Sequence, residues 1–308
     1  MLFSKTYTFF KHANRDKHLL LMILPTFIFY MLFCYAPMYG IVIAFKDFNI
    51  SKGILGSPWS DPILKYFYQL INSYYFDRLL KNTLIISLQQ LIFGFPLPIL
   101  FALLLNEVKN KAFKYVAQTA SYLPHFISMV VVVGLMMDML SPTGGLVNQL
   151  LGKFGMEPIA FFNEPGMFRT LYVGSGIWQE FGWNSIIFLA AISAINPEMY
   201  ETAVVDGATR FQQLIYVTLP ALLPTIIILL IINMGWMFNI GYEKIILMYN
   251  SATYSTADVF STYVYRKGLL DAQYSFASMV GLANSLINIA ILLTVNFVAK
   301  RTSNISLF

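Results

Sequence analysis

Charge is scarce in this chain. Only 11% of its 308 residues are Asp, Glu, Lys or Arg, against roughly 25% in an ordinary soluble domain. Cysteine occurs once, at Cys34, which excludes a disulfide framework and a thiolate metal cluster. The three histidines, His12, His18 and His125, lack metal-ligand spacing. No G-x-x-x-x-G-K-[ST] occurs anywhere, so the chain has no P-loop with which to hold ATP. Any work it does must draw on a partner or an ion gradient.

What is plentiful is apolar surface. Hydrophobic residues make up 57% of the chain, more than a soluble core of this size could cover, and exposing the remainder to water would drive aggregation. The apolar residues fall in blocks long enough to cross a bilayer, which takes about 20 residues of helix. In hydrocarbon such blocks are helical, because only a helix satisfies its own backbone hydrogen bonds there. Six blocks are expected, at about 19–45, 83–105, 116–140, 168–195, 219–240 and 276–299. The prediction is an all-α integral membrane protein with six transmembrane helices, a tail over 1–18 and a membrane domain over 19–308 whose core is about 80–300. Pro25, Pro37, Pro96, Pro98, Pro124 and Pro224 lie in or beside the blocks and predict kinks. The first block is too long for the roughly 7–15-residue core of a signal peptide and no small-residue cleavage site follows it, so it is expected to be a true span.

Basic residues near the spans set the orientation. Lys5, Lys11, Arg15 and Lys17 precede the first block, Lys109, Lys111 and Lys114 sit between the second and third, and Lys300 and Arg301 follow the last. An even number of spans is then expected to put both termini in the cytoplasm. The connections at about 46–82, 141–167 and 241–275 are expected outside, although Lys65, Arg78, Arg266 and Lys267 lie in them. Part of the stretch 3–18 is expected either as a surface-lying amphipathic segment or as a plain tail.

One expected cytoplasmic connection, 196–220, is dense in signals. Asn196-Pro197 opens a short helix as N-cap and first helical residue, and Glu198 and Glu201 suit its positive end. Gly207 supplies the positive φ that ends it, and Asp206 is expected to cap the helix that follows. An ordinary helical connector would explain a bare N-P-E-x-x-E. The full string, Glu201-x-Ala203-x-x-Asp206-Gly207-Ala208 with Phe211 and Leu219-Pro220, resembles the EAA loop of binding-protein-dependent ABC permeases, and it stands before the next-to-last span as it does there. Thr202 departs from the second alanine common in that family. The resemblance implies a type I ABC importer permease fold in which this segment is the coupling helix docking on a cytoplasmic ATPase. Glu201 would pair with a basic ATPase residue, Gly207 would allow the turn, and Ala203 and Ala208 would permit close approach. Asp206 remains a possible simple cap. Gly145-x-x-Asn148-x-x-Leu151 resembles a segment of sugar-importing members, and Tyr249-Asn250-x-Ala252-Thr253-Tyr254-x-Thr256-Ala257-Asp258, with Tyr263-Val264-Tyr265-Arg266 and Tyr274-Ser275, is similar to permeases for complex oligosaccharides in Gram-positive bacteria.

The resemblance implies a non-catalytic subunit with no cofactor of its own. ATP and Mg would sit on an ABC ATPase dimer, alongside a second, different permease and an extracellular sugar-binding lipoprotein. Polar side chains within spans are costly and are candidates for the substrate path. Asn233, Trp236, Asn239 and Glu243 follow steps of 3, 3 and 4, one side of a helix. Gln179 and Trp183 are i,i+4 neighbours, with Trp178, Glu180 and Asn184 close by; Asn284 and Asn288 are likewise i,i+4. Amides and tryptophan suit a sugar's hydroxyls and C–H face. Against this, tryptophan gathers at membrane interfaces and span asparagines often bond neighbouring helices. An ion-coupled transporter is the main rival, but such carriers show internal repeats and none is visible here. A membrane enzyme is weaker still, since Glu180, Glu243 and Asp138 stand without reactive partners.

Overall fold

The computed structural model describes residues 17–303, so the expected surface segment over 3–18, and Lys5, Lys11 and Arg15 with it, lies almost wholly outside the described residues. Among the described residues the chain is helical, with no strand beyond a single bridge between Lys46 and Trp59. The principal helices are α1 (Lys17–Phe45), α2 (Lys65–Ile71), α3 (Phe76–Glu107), α4 (Lys111–Phe126), α5 (Met129–Met139), α6 (Leu146–Lys153), α7 (Pro165–Ser193), α8 (Pro197–Val205), α9 (Arg210–Gly235), α10 (Tyr242–Met248), α11 (Phe260–Tyr265) and α12 (Tyr274–Ser303).

Four of these, α1, α3, α9 and α12, are long and apolar enough to cross a membrane, and the bent pair α4–α5 makes a fifth if it is one span. Two expected blocks therefore come out differently from a plain apolar helix. The third is broken by 101° between α4 and α5. Pro124 stands in a tight 3₁₀ turn over Leu123–Phe126, and Ser128 then caps α5 by accepting from the Val131 N–H, so the chain stops one helix and starts another. The fourth block lies within α7, a continuous helix of 29 residues. It is long enough to cross but is diluted by Arg169, Gln179, Glu180 and Asn184.

Two of the predicted proline kinks, and a third at Pro220 that was not predicted, take one form. Wide π-turns occupy Met31–Tyr35, Gln90–Gly94 and Leu214–Thr218, ahead of Pro37, Pro96 and Pro220 respectively. A proline cannot donate to the residue four positions back, and its ring crowds that carbonyl. Widening the preceding turn relieves the crowding without ending the helix.

α7 is the central post. It packs against the second half of α3, against α4 and against α9, while α9 and α12 pack on each other. On one side Phe188 and Ile192 of α7 meet Ala102 and Leu103 of α3 and Leu222 of α9. Between spans in lipid this is dispersion and fit rather than the hydrophobic effect, because lipid tails are as apolar as leucine. The closest approach is at Gly182, where a Cβ would stand 2.1 Å from the Ser121 carbonyl oxygen of α4. α1 stands apart. None of its most apolar stretch is buried within the chain, and only its last turns, around the buried Ala44, pack on α12.

The connections expected outside are tightly built. Asp258, with no exposed surface, takes Arg266 bidentately at 2.8 and 2.7 Å, Thr262 Oγ1 at 2.7 Å and Arg78 at 3.3 Å. Asn82 ties this group to α7, donating to the Asp258 carbonyl and accepting from Arg169. Burial is the largest influence on Arg266 and opposes its charge, but the Asp258 hydrogen bonds and charge, with Tyr249 added, together hold the guanidinium above its ordinary range. Asn148 organises the turn around α6, donating to Leu140, Ser141 and Ile159 carbonyls and accepting from the Ile159 N–H. The sequence segments similar to sugar-importing permeases thus contain residues that hold these loops in shape.

Candidate functional site

A cavity of about 340 Å³ lies against α7, between the π-turn of α3 and the end of α9. Its polar lining comes from Ser87 and Gln90 of α3, Glu180 and Asn184 of α7, and Asn233, Trp236 and Asn239 at and beyond the end of α9. Phe95, Phe181 and Phe188 supply aromatic wall. Four of the expected path residues, Asn184, Asn233, Trp236 and Asn239, are therefore brought together.

They do not meet as a helical stripe. α9 ends at Gly235, the next residues form a turn, and α10 begins only at Tyr242. The expected i,i+3,i+4 series is thus split. Asn233 is still helical and donates to the Leu229 carbonyl, Trp236 is the C-cap, Asn239 lies in the unwound stretch, and Glu243 is exposed in the first turn of α10 and does not line the cavity. Spacing could not reveal this, because nothing in Gly235-Trp236-Met237-Phe238 announces a helix end by proline.

The other expected residues do not line this cavity. Gln179 is buried and donates to the Ile127 carbonyl at 2.8 Å, closing the break between α4 and α5. Trp183 stacks on His125 with centroids 4.3 Å apart and planes 3° off parallel. His125 Nδ1 lies 3.0 Å from Glu180 Oε2, so the histidine read as isolated touches the cavity wall. Asn284 and Asn288 of α12 both bond the backbone of Phe238. Ser87, Gln90 and Glu180 line the cavity without being among the expected path residues. Pro96 signals a kink near Gln90, but the widened turn that offsets its amide is visible only in the structure.

The 196–220 connection forms as a helix, a sharp turn and a second helix. Asn196 caps α8 by accepting from the Glu198 N–H, with Pro197 first in the helix. α8 ends with Gly207 at φ +79°. The Gly207 N–H reaches the Val204 carbonyl and the Ala208 N–H the Ala203 carbonyl at 2.8 Å, the double bond of a Schellman motif. Asp206 does not cap the next helix, as expected from sequence; Thr209 does, in a reciprocal capping box with Gln212. Asp206 is instead the C-terminal boundary residue of α8. Glu201, Asp206 and Gly207 are exposed, and Ala203 and Ala208 half-buried. Met199, Val204, Val205 and Phe211 are left open to solvent, Val205 at 87%. The Tyr200 hydroxyl meets Thr218 at 2.9 Å and Arg210 pairs with Glu107 at 3.5 Å, fixing the loop to α9 and to the end of α3.

Among the described residues no cluster of His, Cys, Asp or Glu could hold a metal ion. The unwound backbone, the amides and the exposed tryptophan offer hydrogen bonds and a stacking face rather than a reactive group.

Comparison with known proteins bears on this arrangement. Residues 94–304 match the family described as binding-protein-dependent transport system inner membrane component. The polygalacturonan/rhamnogalacturonan transport system permease protein YteP of Bacillus subtilis is 44% identical over 287 residues, 93% of this chain and 89% of that protein. Two solved structures are 44% identical, each match covering 96% of this chain and 99% of theirs. One is of a bacterial ABC transporter involved in the import of the acidic polysaccharide alginate, with a TM-score of 0.88. The other is of a bacterial alginate ABC transporter in complex with an alginate pentasaccharide-bound periplasmic protein, with a TM-score of 0.87.

Proposed function

Because this chain belongs to the family of binding-protein-dependent transport system inner membrane components, we propose that it is one of two permease subunits of an ATP-driven importer of oligosaccharides. The cavity at the end of α9 would be its part of the substrate path. The observation that carries the path is the convergence of Gln90, Asn184, Asn233, Asn239 and Trp236 on one cavity at the points where α3 and α9 depart from regular helix. Side-chain amides exchange hydrogen bonds with hydroxyls in both directions, and a tryptophan face stacks on sugar C–H surface. Similarity to transporters named for pectic and alginate polymers supports a saccharide, and the rival reading of an ion-coupled carrier finds no support among the relatives.

The remaining parts follow from that proposal. α7 would complete a sixth crossing, with α4–α5 as a broken one, and both termini would lie in the cytoplasm of a bacterial membrane. α8 would be the coupling helix. Its exposed Val204 and Val205, flanking the exposed Glu201 on one face, suit a groove on an ATPase that carries ATP and Mg. The firm attachment of the loop through Tyr200–Thr218 and Arg210–Glu107 suits a part that transmits movement into α9 and α3. A second, different permease, an ATPase dimer and a sugar-binding lipoprotein would complete the assembly.

The test is a gentle affinity purification from native membranes with mass spectrometry of the co-purifying chains, followed by reconstitution into vesicles. An ATPase, a second permease and a sugar-binding protein are expected, with ATP-dependent uptake of the sugar that protein carries. Recovery of the chain alone, or uptake driven by an ion gradient without ATP, overturns the proposal.

A further inference from the structure

The unwound stretch after α9 poses a physical problem that the structure solves in one place. Outside a helix, the backbone N–H and C=O of Phe238 lose their regular partners. The Phe238 side chain is buried at 3% exposure, so water is not at hand to replace them. An orphaned backbone group in such a setting costs several kcal/mol. Two amides one turn apart on α12 take both groups. Asn288 Oδ1 accepts from the Phe238 N–H at 3.0 Å, and Asn284 Nδ2 donates to the Phe238 carbonyl at 3.3 Å. The roles are fixed by the backbone, since an N–H only donates and a carbonyl only accepts. Ser87 of α3 donates to the neighbouring Met237 carbonyl. Trp236 and Asn239, which flank this clamped pair, line the cavity; Asn284 and Asn288 do not.

We propose that Asn284 and Asn288 are positioning residues for the substrate path: they hold the backbone of Phe238 unwound so that Trp236 and Asn239 face the cavity, without touching the substrate themselves. The proposal rests on the substrate-path reading of the cavity. It separates these two asparagines from ordinary interhelical bonds between side chains, because their partner is backbone that would otherwise be helical. It also predicts an asymmetry that general packing does not. Asn288→Asp keeps an oxygen facing the Phe238 N–H. Asn284→Asp, measured at a pH where the carboxyl is ionised, sets a carboxylate oxygen against the Phe238 carbonyl and removes the donor.

The experiment uses the intact transporter, purified with its native partners into lipid nanodiscs, in a W59F/W178F/W183F background where Trp236 is the only tryptophan of this chain. The emission change is read as the difference between each asparagine variant and that background, with partner chains held constant. Asn284→Asp is expected to shift the Trp236 emission and raise its quenching by acrylamide, while Asn288→Asp leaves both close to the parent. In vesicles with ATP inside, uptake from a mixed pectin and alginate hydrolysate is expected to fall roughly tenfold for Asn284→Asp, the equivalent of one backbone hydrogen bond, and far less for Asn288→Asp. Equal effects of the two variants, or unmoved Trp236 emission in Asn284→Asp, overturn the proposal. Should Asn284→Asp fail to assemble, Asn284→Gln keeps the donor but displaces it, and unchanged emission in that variant overturns the proposal equally. The underlying path reading fails separately: if Trp236→Ala and Asn239→Ala leave uptake intact, the cavity is not the path, whereas the emission pattern still decides the positioning.

Discussion

Replacing Gly182 by alanine should be among the most disruptive single-methyl changes in this protein. The added Cβ would lie 2.1 Å from the Ser121 carbonyl oxygen, 2.5 Å from its carbon and 2.8 Å from its Cβ. The first two atoms are backbone, so no rotamer change relieves the overlap. α4 and α7 must part by roughly 1 Å before the contact becomes tolerable, at the cost of about 1–3 kcal/mol typical of overpacking. That parting also strains the fastenings on either side of the contact, the 2.8 Å Gln179–Ile127 bond, the 3.0 Å His125–Glu180 pair and the Trp183–His125 stack. The expected outcome is a fall of roughly 5 °C in the apparent melting temperature of the purified complex, taking about 2–4 °C per kcal/mol for a chain of this order. Gly174→Ala is the internal control. It lies on the same helix with nothing within 4 Å of its would-be Cβ, so only helix propensity acts, and that favours alanine by up to about 1 kcal/mol. Equal melting temperatures for the two variants at equal scan rate would refute the claim that α4 and α7 touch backbone to backbone here.

Glu201→Lys is expected to leave the chain inserted in the membrane but to weaken its attachment to an ATPase; unchanged co-purification and uptake would sink the coupling role of α8. Trp236→Ala should lower saccharide-stimulated ATP hydrolysis more than basal hydrolysis, and equal loss of both would argue against a substrate role. Asp258→Asn leaves Arg266 and Arg78, their side chains 22% and 29% exposed, facing a neutral group, so a destabilisation of about 1–3 kcal/mol is expected, readable as faster thermal inactivation; a variant as durable as the parent would contradict it. The Tyr66 hydrogen bond, followed by that of Lys65, holds the Asp47 carboxyl below its ordinary range. Its folded value being the lower one, it stabilises above the ordinary carboxylate range and loses that contribution as pH falls through the lowered value. The Asp47 side chain is 39% exposed, so the term is small, and Asp47→Asn should flatten acid sensitivity only slightly in a pH-resolved melting series.

How much of this was legible beforehand depends on how local each feature is. The helical membrane class followed from composition, since a chain so poor in charge and so long in its apolar blocks has no other way to satisfy its backbone. The α8 turn was legible nearly residue by residue: Asn196, Pro197 and Gly207 each act through bonds to neighbours within a few positions. The prolines were legible as kinks, although their common form, a widened turn upstream, was not. The candidate site was half legible. Asn184, Asn233, Trp236 and Asn239 were picked for being polar within spans, and they do converge. The geometry assumed for them, one helical face, was wrong because Gly235 ends the helix without a local marker.

Tertiary structure alone decided the rest. Gln90 and Glu180 line the cavity because an offset turn in α3 and one face of α7 happen to meet there. His125, isolated in sequence, meets Glu180 and Trp183 only because α4 breaks and folds against α7. Asn284 and Asn288 meet the backbone of Phe238, about 50 positions away, through packing that no local pattern encodes. Asn148 and Asp258, carried by motifs, hold loops through partners that sequence spacing cannot rank. The sequence by itself determined the helical membrane class and how the 196–220 turn is made, because those depend on solvent transfer and near-neighbour hydrogen bonds. Only packing decided which polar groups face the cavity and which hold the walls apart, because each asparagine can serve either end and its partner is chosen by the helix that arrives beside it.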